Sequence, residues 1–281
     1  MDNAEKIDNL KQSDERIKTN MSRIKKKILV LSNKGGVGKS SVAASMAFAL
    51  SKKGKKVGLL DADIHGPSVA KLLGFEGEKV TASPDGIIPH RVNPDLCAVS
   101  MASFLEHADS PVIWRGPLKM GVLRQFLADV RWGELDYLIV DSPPGTGDEP
   151  LSICQLIKDL TGAVIVTTPQ DVALLDSRKC VGFLRHLSTP IYGLVENMSG
   201  LVCPHCGKEI DLLGTGGGEK AAAELGIPFL GKIPFDLEMV KAADKGESFV
   251  DEYPHSEAAG IIDKICDVLD KEEKTGENNG E

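Results

Sequence analysis

The chain has 281 residues and a formal net charge of -8 at pH 7, since 33 Lys and Arg stand against 41 Asp and Glu. This acidic balance argues against binding to DNA or to anionic lipid, which both need a basic face, so we expect neither a nucleic-acid nor a membrane partner. The sequence has no apolar run of about 18 residues and no apolar core near its N-terminus, so we expect neither a membrane span nor a signal peptide. These features predict a protein of the reducing cytoplasm. Four of the six cysteines lie within apolar patterns and are interpreted as small buried hydrophobes: Cys97, Cys154, Cys180 and Cys266.

The two ends of the chain are polar. Residues 1–25 carry an interrupted apolar stripe at helical spacing, made by Ile7, Leu10, Ile17, Met21 and Ile24. This N-terminal arm is either an amphipathic helix that docks on the body or on a second subunit, or a solvated, partly helical tail, and the polar composition favours the tail. Residues 271–281 are charged and predict a disordered tail.

Between these ends, over residues 26–270, short apolar runs alternate with helical patterns such as 39–54 and 172–187. Strands that are apolar on both faces and alternate with helices predict an α/β fold: a doubly wound, mostly parallel sheet with helices on both faces. Ligands of such sheets bind at the C-terminal ends of the strands. The predicted strands are residues 27–32, 57–62, 96–101, 137–142, 163–168, 191–196 and 229–234.

A glycine-rich loop, "SNKGGVGKSS" at residues 32–41, follows the first strand and precedes a helix. Its glycines let the backbone wrap closely around an anion, and the helix adds its positive N-terminus. Lys39 is placed to reach the β- and γ-phosphates of a nucleotide, Ser40 to ligate Mg²⁺, and Ser41 to hold a neighbouring phosphate oxygen. The flanking strand and helix argue against a chance glycine turn. The glycines are Gly35, Gly36 and Gly38.

Acidic residues end two of the predicted strands. Asp61 and Asp63 close "LLDAD", and Asp141 closes "YLIVD". Nucleotide hydrolysis needs one carboxylate to orient the attacking water and others to fix Mg²⁺ and its waters. Asp141 has the form of a Walker B carboxylate, which holds Mg²⁺ directly or through water. For the first pair, capping of the helix that follows is the alternative.

Two further features follow the strand at 191–196. Asn197 carries an amide that can pair with the N6/N7 edge of adenine, or it is a turn residue. In "LVCPHCGKE", Cys203 and Cys206 are spaced to hold one metal ion or one edge of a cluster. Tetrahedral zinc and iron–sulfur clusters take four such ligands, and a two-fold dimer would supply them. The spacing is compatible with an iron–sulfur cluster, a zinc clip (Zn²⁺) and a redox disulfide.

The stretch "KGGVGK" (34–39) resembles the deviant phosphate loop of the MinD/ParA/arsenite-ATPase group of P-loop proteins. Within that group the chain looks most like the Mrp/ApbC iron–sulfur cluster carriers. The matching stretches are "DADIHGPS" (61–68), "WRGP" (114–117), "DSPPGTGD" (141–148), "VENMSG" (195–200), "CPHC" (203–206) and "GTGGGEKAAAELGIPFLGKIPFD" (214–236). No chemical role follows from Trp114 to Pro117.

This resemblance implies an ATP-dependent homodimer that hydrolyses ATP slowly with Mg²⁺. Lys34 would cross to the nucleotide of the partner, in the manner of an arginine finger supplied in trans. Asp63 would position the attacking water, and Asp61 would support the magnesium shell. The implied nucleotide-binding residues are Lys34, Gly35, Gly36, Val37, Gly38, Lys39, Ser40, Ser41, Asn197, Pro234 and Asp236, the last two packing near the base.

For the cysteines, the resemblance implies a [4Fe–4S] cluster that bridges two subunits through Cys203 and Cys206 and is handed to apo iron–sulfur proteins. Two other functions are weighed against it. A ParA/MinD-type positioning ATPase would bind DNA or membrane, which the acidic charge disfavours. A targeting chaperone with a zinc clip would need an apolar, methionine-rich groove, and the seven methionines are scattered.

Overall fold

A computed structural model describes residues 3–104, 116–203 and 205–271. The helices in these ranges are α1 (Asn3–Met21), α2 (Lys39–Lys52), α3 (Val69–Leu72), α4 (Gly116–Ala128), α5 (Asp148–Leu156), α6 (Asp171–His186), α7 (Gly217–Leu225), α8 (Leu237–Lys245), α9 (Phe249–Glu252) and α10 (Glu257–Lys271). The strands are β1 (Ile24–Leu31), β2 (Val57–Asp61), β3 (Thr81–Ser83), β4 (Gly86–Ile88), β5 (His90–Asn93), β6 (Leu96–Ser100), β7 (Leu135–Asp141), β8 (Gly162–Thr167), β9 (Ile191–Glu196), β10 (Leu201–Val202), β11 (Glu209–Ile210) and β12 (Phe229–Lys232).

Eight of the strands form one sheet in the order β12-β9-β8-β1-β7-β2-β6-β5. All pairs in it are parallel except that of β5 with β6. The predicted mostly parallel α/β sheet is therefore confirmed, and each of the seven predicted strands is present. The sequence did not predict β5 at the edge, nor the two small hairpins β3–β4 and β10–β11.

Helices cover both faces of the sheet, and the side chains of β1 alternate between them. Ile28 and Val30 belong to an apolar cluster that includes α2 and α10, whereas Leu29 and Leu31 belong to one that includes α4 and α6. This alternation follows from the period of two along a strand. It explains why the central strands are continuous apolar runs.

The end of the N-terminal arm packs on the body of the protein. Ile17 and Met21 are buried in the same cluster as α4, while most side chains of α1 before Ile17 are exposed. The side-chain amide of Asn20 donates to the carbonyl oxygens of Leu127 and Val130, at 2.9 and 2.7 Å. The last turns of the arm are thus docked on the body, as in the first of the two alternatives, and the range of the arm overlaps the start of β1.

At the other end, α10 extends to Lys271, the first residue of the predicted tail, and residues 272–281 lie outside the described residues. Within the described ranges, no helix combines the length and apolar character that crossing a bilayer requires.

The four cysteines that were predicted to be buried differ in degree. Cys180 and Cys266 are buried, and Cys97 and Cys154 are half-buried. Burial raises the pKa of the thiols of Cys97 and Cys154 to about 11, and that of Cys180 and Cys266 to about 12. These thiols are therefore poorly reactive at neutral pH.

Candidate nucleotide and cysteine sites

The glycine-rich loop joins β1 to α2 at the C-terminal edge of the sheet. Gly36 and Gly38 have φ values of 81° and 77°, in the left-handed region that favours glycine. A Cβ atom at Gly38 would overlap the side-chain amide of Asn197, so a larger residue does not fit there. Because α2 begins at Lys39, the loop ends on the positive N-terminus of a helix, which suits a phosphate group.

Lys39 forms a buried ion pair with Asp141 at the centre of this site. The two side chains are 6% and 0% exposed, and the ammonium group contacts Oδ1 of Asp141. The hydroxyl of Ser40 also lies at Asp141, and 3.3 Å from the ammonium nitrogen. Burial raises the pKa of Asp141, although the positive charge of Lys39 opposes this rise.

The second carboxylate oxygen of Asp141, Oδ2, is buried without a hydrogen-bond partner. A buried polar atom without a partner is costly, and Oδ2 of Asp141 is therefore available to a cation. Oxygen atoms from carboxylates and hydroxyls are the ligands that Mg²⁺ prefers. Asp141 and Ser40 therefore fit the magnesium site that the sequence predicts.

Asp61 lies next to Asp141, because β2 and β7 pair these two residues directly. Its Oδ1 accepts from the backbone N–H of Asp63 at 3.1 Å. Its Oδ2 accepts from the N–H of Val69 at 3.1 Å and from the hydroxyl of Ser100 at 2.8 Å. Val69 is the first residue of α3, so Asp61 accepts a hydrogen bond from the N-terminus of that helix although Ser68 is its N-cap residue.

The environment of Asp61 raises its pKa to about 7, chiefly by burial and then by the negative charge of Asp141. Its two oxygens are held by protein donors, so the observed role of this carboxylate is to fix the loop that carries Asp63. Its part in the magnesium shell stays a prediction.

Asp63 is half-buried in the loop between β2 and α3. Its Oδ1 accepts from the N–H groups of His65 and Gly66, at 3.2 and 3.1 Å. The charge of Asp63 contributes to the raised pKa of Asp141, as expected for carboxylates that share one site. The structure therefore brings Asp61, Asp63 and Asp141 together beside the phosphate loop.

Lys34 is an exposed residue of the phosphate loop. Its neighbour Asn33 donates from its side-chain amide to Asp176 of α6 at 2.8 Å, which ties the loop to that helix. The hydroxyl of Ser32 donates to the carbonyl oxygen of Lys34 at 3.0 Å. The side chain of Lys34 is thus accessible to a second molecule, while its backbone is held.

Asn197 follows β9 and bridges to the phosphate loop, because its side-chain amide donates to the carbonyl oxygen of Val37 at 2.9 Å. The segment with Pro234 lies alongside, since the N–H of Phe235 donates to the carbonyl oxygen of Gly200 at 2.8 Å. Asp236 caps α8 by accepting from the N–H of Glu238 at 2.8 Å. Contact of Asn197, Pro234 and Asp236 with a base stays a prediction.

Cys203 and Cys206 lie on the hairpin of β10 and β11, which pair antiparallel. The turn is closed by two backbone hydrogen bonds of 2.9 Å, from Cys203 to Lys208 and from Gly207 to Cys203. Cys203 is half-buried and Cys206 is exposed. The N–H groups of His205 and Cys206, and then the thiol of Cys206, lower the pKa of Cys203.

A lowered pKa favours the thiolate, which is the form that binds soft metals. Among the residues that the structure describes, no group of three or more His, Cys, Asp or Glu side chains comes together as a metal site. Three large apolar side chains on and next to this hairpin are exposed: Val202, Ile210 and Leu212.

Sequence reasoning missed Glu196 and Ser100, two buried polar residues of the site. Glu196 ends an apolar strand just as Asp141 does, so the same signal could have found it. Ser100 carried no signal, because its role depends on the pairing of β6 with β2. Of the "WRGP" stretch, Trp114 and Arg115 lie outside the described residues, and Gly116 and Pro117 begin α4.

Comparison with known proteins agrees with this geometry. Residues 23–270 match the model of the ParA family described as NUBPL iron-transfer P-loop NTPase. The iron-sulfur cluster carrier protein of Methanocaldococcus jannaschii is 54% identical over 237 residues, or 84% of this chain and 82% of that protein. The iron-sulfur cluster carrier protein of Methanococcus maripaludis is 46% identical over 265 residues, or 94% of this chain and 92% of that protein.

Solved structures show the same fold. A nucleotide-binding protein from Archaeoglobus fulgidus in complex with ADP is 40% identical, with a TM-score of 0.74 over 84% of this chain and 92% of that one. The septum site-determining protein MinD of Pyrococcus horikoshii, complexed with Mg-ADP, shares the fold at 23% identity, with a TM-score of 0.65 over 88% of this chain and 96% of that one. The extent of these matches shows that the chain belongs to the iron-transfer P-loop NTPases of the ParA family.

Proposed function

We propose that this protein is an ATP-dependent iron–sulfur cluster carrier that works as a homodimer. It binds a [4Fe–4S] cluster, hydrolyses ATP slowly with Mg²⁺ and passes the cluster to apo iron–sulfur proteins. One observation carries the proposal. An exposed Cys-x-x-Cys hairpin and the amide that contacts the phosphate loop both follow the end of β9. The names of the relatives at 46–54% identity support the same cargo.

The proposed binding and hydrolysis of ATP are supported by side chains that lie close together at the phosphate loop. The loop amides and the N-terminus of α2 bind phosphate oxygens, and Lys39 leaves Asp141 to contact the β- and γ-phosphates. Asp141 and Ser40 would hold Mg²⁺, which neutralises charge on the phosphate oxygens when it is bound. Asp63 accepts a hydrogen bond from the attacking water and orients it.

Lys34 completes the site from a second chain. Its exposed ammonium group adds positive charge beside the γ-phosphate of the partner, where negative charge develops in the transition state. Turnover in this scheme needs two chains, while nucleotide binding needs one.

The cluster half of the function follows from the cysteine hairpin. A [4Fe–4S] cluster takes four thiolates, and one hairpin supplies two, so a two-fold dimer supplies the set. The exposed Val202, Ile210 and Leu212 support contact of this hairpin with another chain. Because both hairpins must stay together to hold the cluster, separation of the two chains releases it. We place this chemistry in the cytoplasm, where free thiols persist.

The test is anaerobic reconstitution with iron and sulfide. Wild-type dimer should take up about four iron and four sulfide and absorb broadly at ~400 nm, through charge transfer to iron. Cys203→Ala and Cys206→Ala should lose the cluster and its transfer to an apo-acceptor, while still binding ATP. Cys154→Ala is the matched control and should behave as wild type. A colourless dimer with one tightly held zinc and no cluster would overturn the proposal and favour the zinc clip.

A further inference from the structure

One buried carboxylate holds both ends of the cysteine-bearing segment, residues 199–216. Glu196 ends β9 and is 0% exposed. Its Oε1 accepts from the hydroxyl of Ser199, where the segment leaves the strand, and from the N–H of Gly216 at 2.8 Å, where it returns. Its Oε2 accepts from the N–H of Gly218 in the first turn of α7. The carboxylate therefore fixes the base from which the Cys203–Cys206 hairpin projects.

The glycines of "GTGGG" are shaped around this carboxylate. A Cβ atom at Gly218 would lie 2.9 Å from both Cβ and Oε2 of Glu196, and Gly216 has a φ of 79°. The hydroxyls of Ser199 and Thr215 lie 3.0 Å apart, which joins the two ends of the segment directly. Three donors and the positive end of α7 compensate the buried carboxylate, so both ends of the segment are held at one side chain.

The residue after Glu196 contacts the nucleotide site. Asn197 donates to the carbonyl oxygen of Val37, and its amide occupies the space that a Cβ atom at Gly38 would need. Consecutive residues at a strand end point to opposite faces. Glu196 accordingly lies on the side of α7, and Asn197 lies on the side of α2. Asn197 and Glu196 are adjacent in the chain, so the backbone directly joins the contact with the phosphate loop to the contacts at the base of the hairpin.

We propose that Glu196 is a positioning residue that transmits nucleotide occupancy from the phosphate loop to Cys203 and Cys206 of the same chain. This inference rests on the proposed carrier function for its purpose, because it says how ATP controls the grip on the cluster. The coupling itself exists whether or not a cluster is bound. It is therefore measurable on the metal-free protein.

The experiment compares rates of alkylation of Cys203 and Cys206 by iodoacetamide, with and without saturating Mg-ADP. The other four thiols react slowly because burial raises their pKa. In the wild type, nucleotide should change the rate about five-fold or more, as expected of coupled sites. Glu196→Gln keeps the shape of the side chain but removes its charge. This variant should bring the ratio of the alkylation rate with Mg-ADP to the rate without it to nearly one. Its ADP affinity should stay within about three-fold of wild type.

Glu219→Gln, at an exposed glutamate of α7, is the matched control and should keep the wild-type ratio. If Glu196→Gln does not fold, Ser199→Ala decides, because it removes a single donor and should reduce the ratio. A purely structural role for Glu196 would raise both rates and leave their ratio intact. A wild-type ratio in Glu196→Gln or Ser199→Ala overturns the inference. Alkylation rates of the wild type that do not change on addition of Mg-ADP also overturn it. Failure of cluster reconstitution would refute the carrier function alone, since no cluster enters this assay.

Discussion

Replacing Lys39 by Met in the nucleotide-free protein should cost a large part of the stability of the fold. The change removes the only cation in a buried ion pair whose other partner, Asp141, is 0% exposed and has one oxygen without a partner. Loss of one partner from a buried pair costs about 3–5 kcal/mol, because it leaves a charge without compensation. We expect a cost of about 3 kcal/mol at pH 8, at the lower end of this range, because the raised pKa of Asp141 favours its neutral form.

The pH dependence of that cost has a defined sign. Burial raises the pKa of Asp141 in the folded protein, and loss of Lys39 removes the charge that opposes the rise. A carboxyl group with a raised pKa in the folded state destabilises the fold increasingly as pH rises above its unfolded pKa. The cost of Lys39→Met should therefore shrink as pH falls from 8 towards 5.

The assay is urea unfolding without nucleotide, followed by circular dichroism at both pH values for Lys39→Met, Asp141→Asn and the double variant. The double variant should recover about 2–3 kcal/mol relative to the sum of the single changes, since no uncompensated charge remains. Lys25→Met is the control, because Lys25 also forms an ion pair, with Asp136, but its side chain is 72% exposed. It should cost about 0–1 kcal/mol. Additive effects at Lys39 and Asp141 would refute the reasoning.

Two further predictions concern turnover. Asp63→Asn should bind ATP like the wild type but hydrolyse it at least about 100-fold more slowly, because the attacking water loses its carboxylate partner. ATP titration measures the binding and phosphate release measures the hydrolysis. Turnover at the wild-type rate would disprove the assignment. Lys34→Ala should likewise keep ATP binding and lose turnover. Mixing it with Lys39→Ala should restore part of the activity, because a mixed dimer has one site with both lysines intact. The rate is followed across mixing ratios once subunit exchange is established, and no recovery at any ratio would contradict a role in trans.

The sheet was predictable from the sequence because its central strands are buried on both faces and appear as unbroken apolar runs. β5 was not, since "HRVN" is a polar edge strand that is defined by its pairing with β6. The docking of α1 was ambiguous for a similar reason. Ile17 and Met21 are buried in a cluster that includes side chains of α4, which lies about 100 residues later in the chain.

The site was predictable where its residues are contiguous, as in the phosphate loop. The role of a residue was less predictable where its side chain forms hydrogen bonds with residues that are distant in the chain. The sequence left open whether Asp61 caps a helix, and its bond to Val69 depends on how the loop after β2 folds. Glu196 carries the same strand-end signal as Asp141, but its role could not be predicted, because its donors at Gly216 and Gly218 follow about 20 residues later. Spacing reveals local motifs, whereas the distant partners of a carboxylate are known only from the folded structure.

The position of β1 in the middle of the sheet has a consequence for folding during synthesis. β1 ends at Leu31, and the earlier of its two partner strands, β7, begins only at Leu135. During synthesis, the "ILVL" segment is therefore made about 100 residues before a strand with which it can pair. An apolar strand in that condition can pair with other chains and aggregate. Lys25, Lys26 and Lys27 stand directly before it, and their charges repel another copy while the strand is exposed. In the folded protein, the ammonium group of Lys26 donates a hydrogen bond to a carbonyl oxygen near the end of α10, and that of Lys27 donates to one at the end of α1.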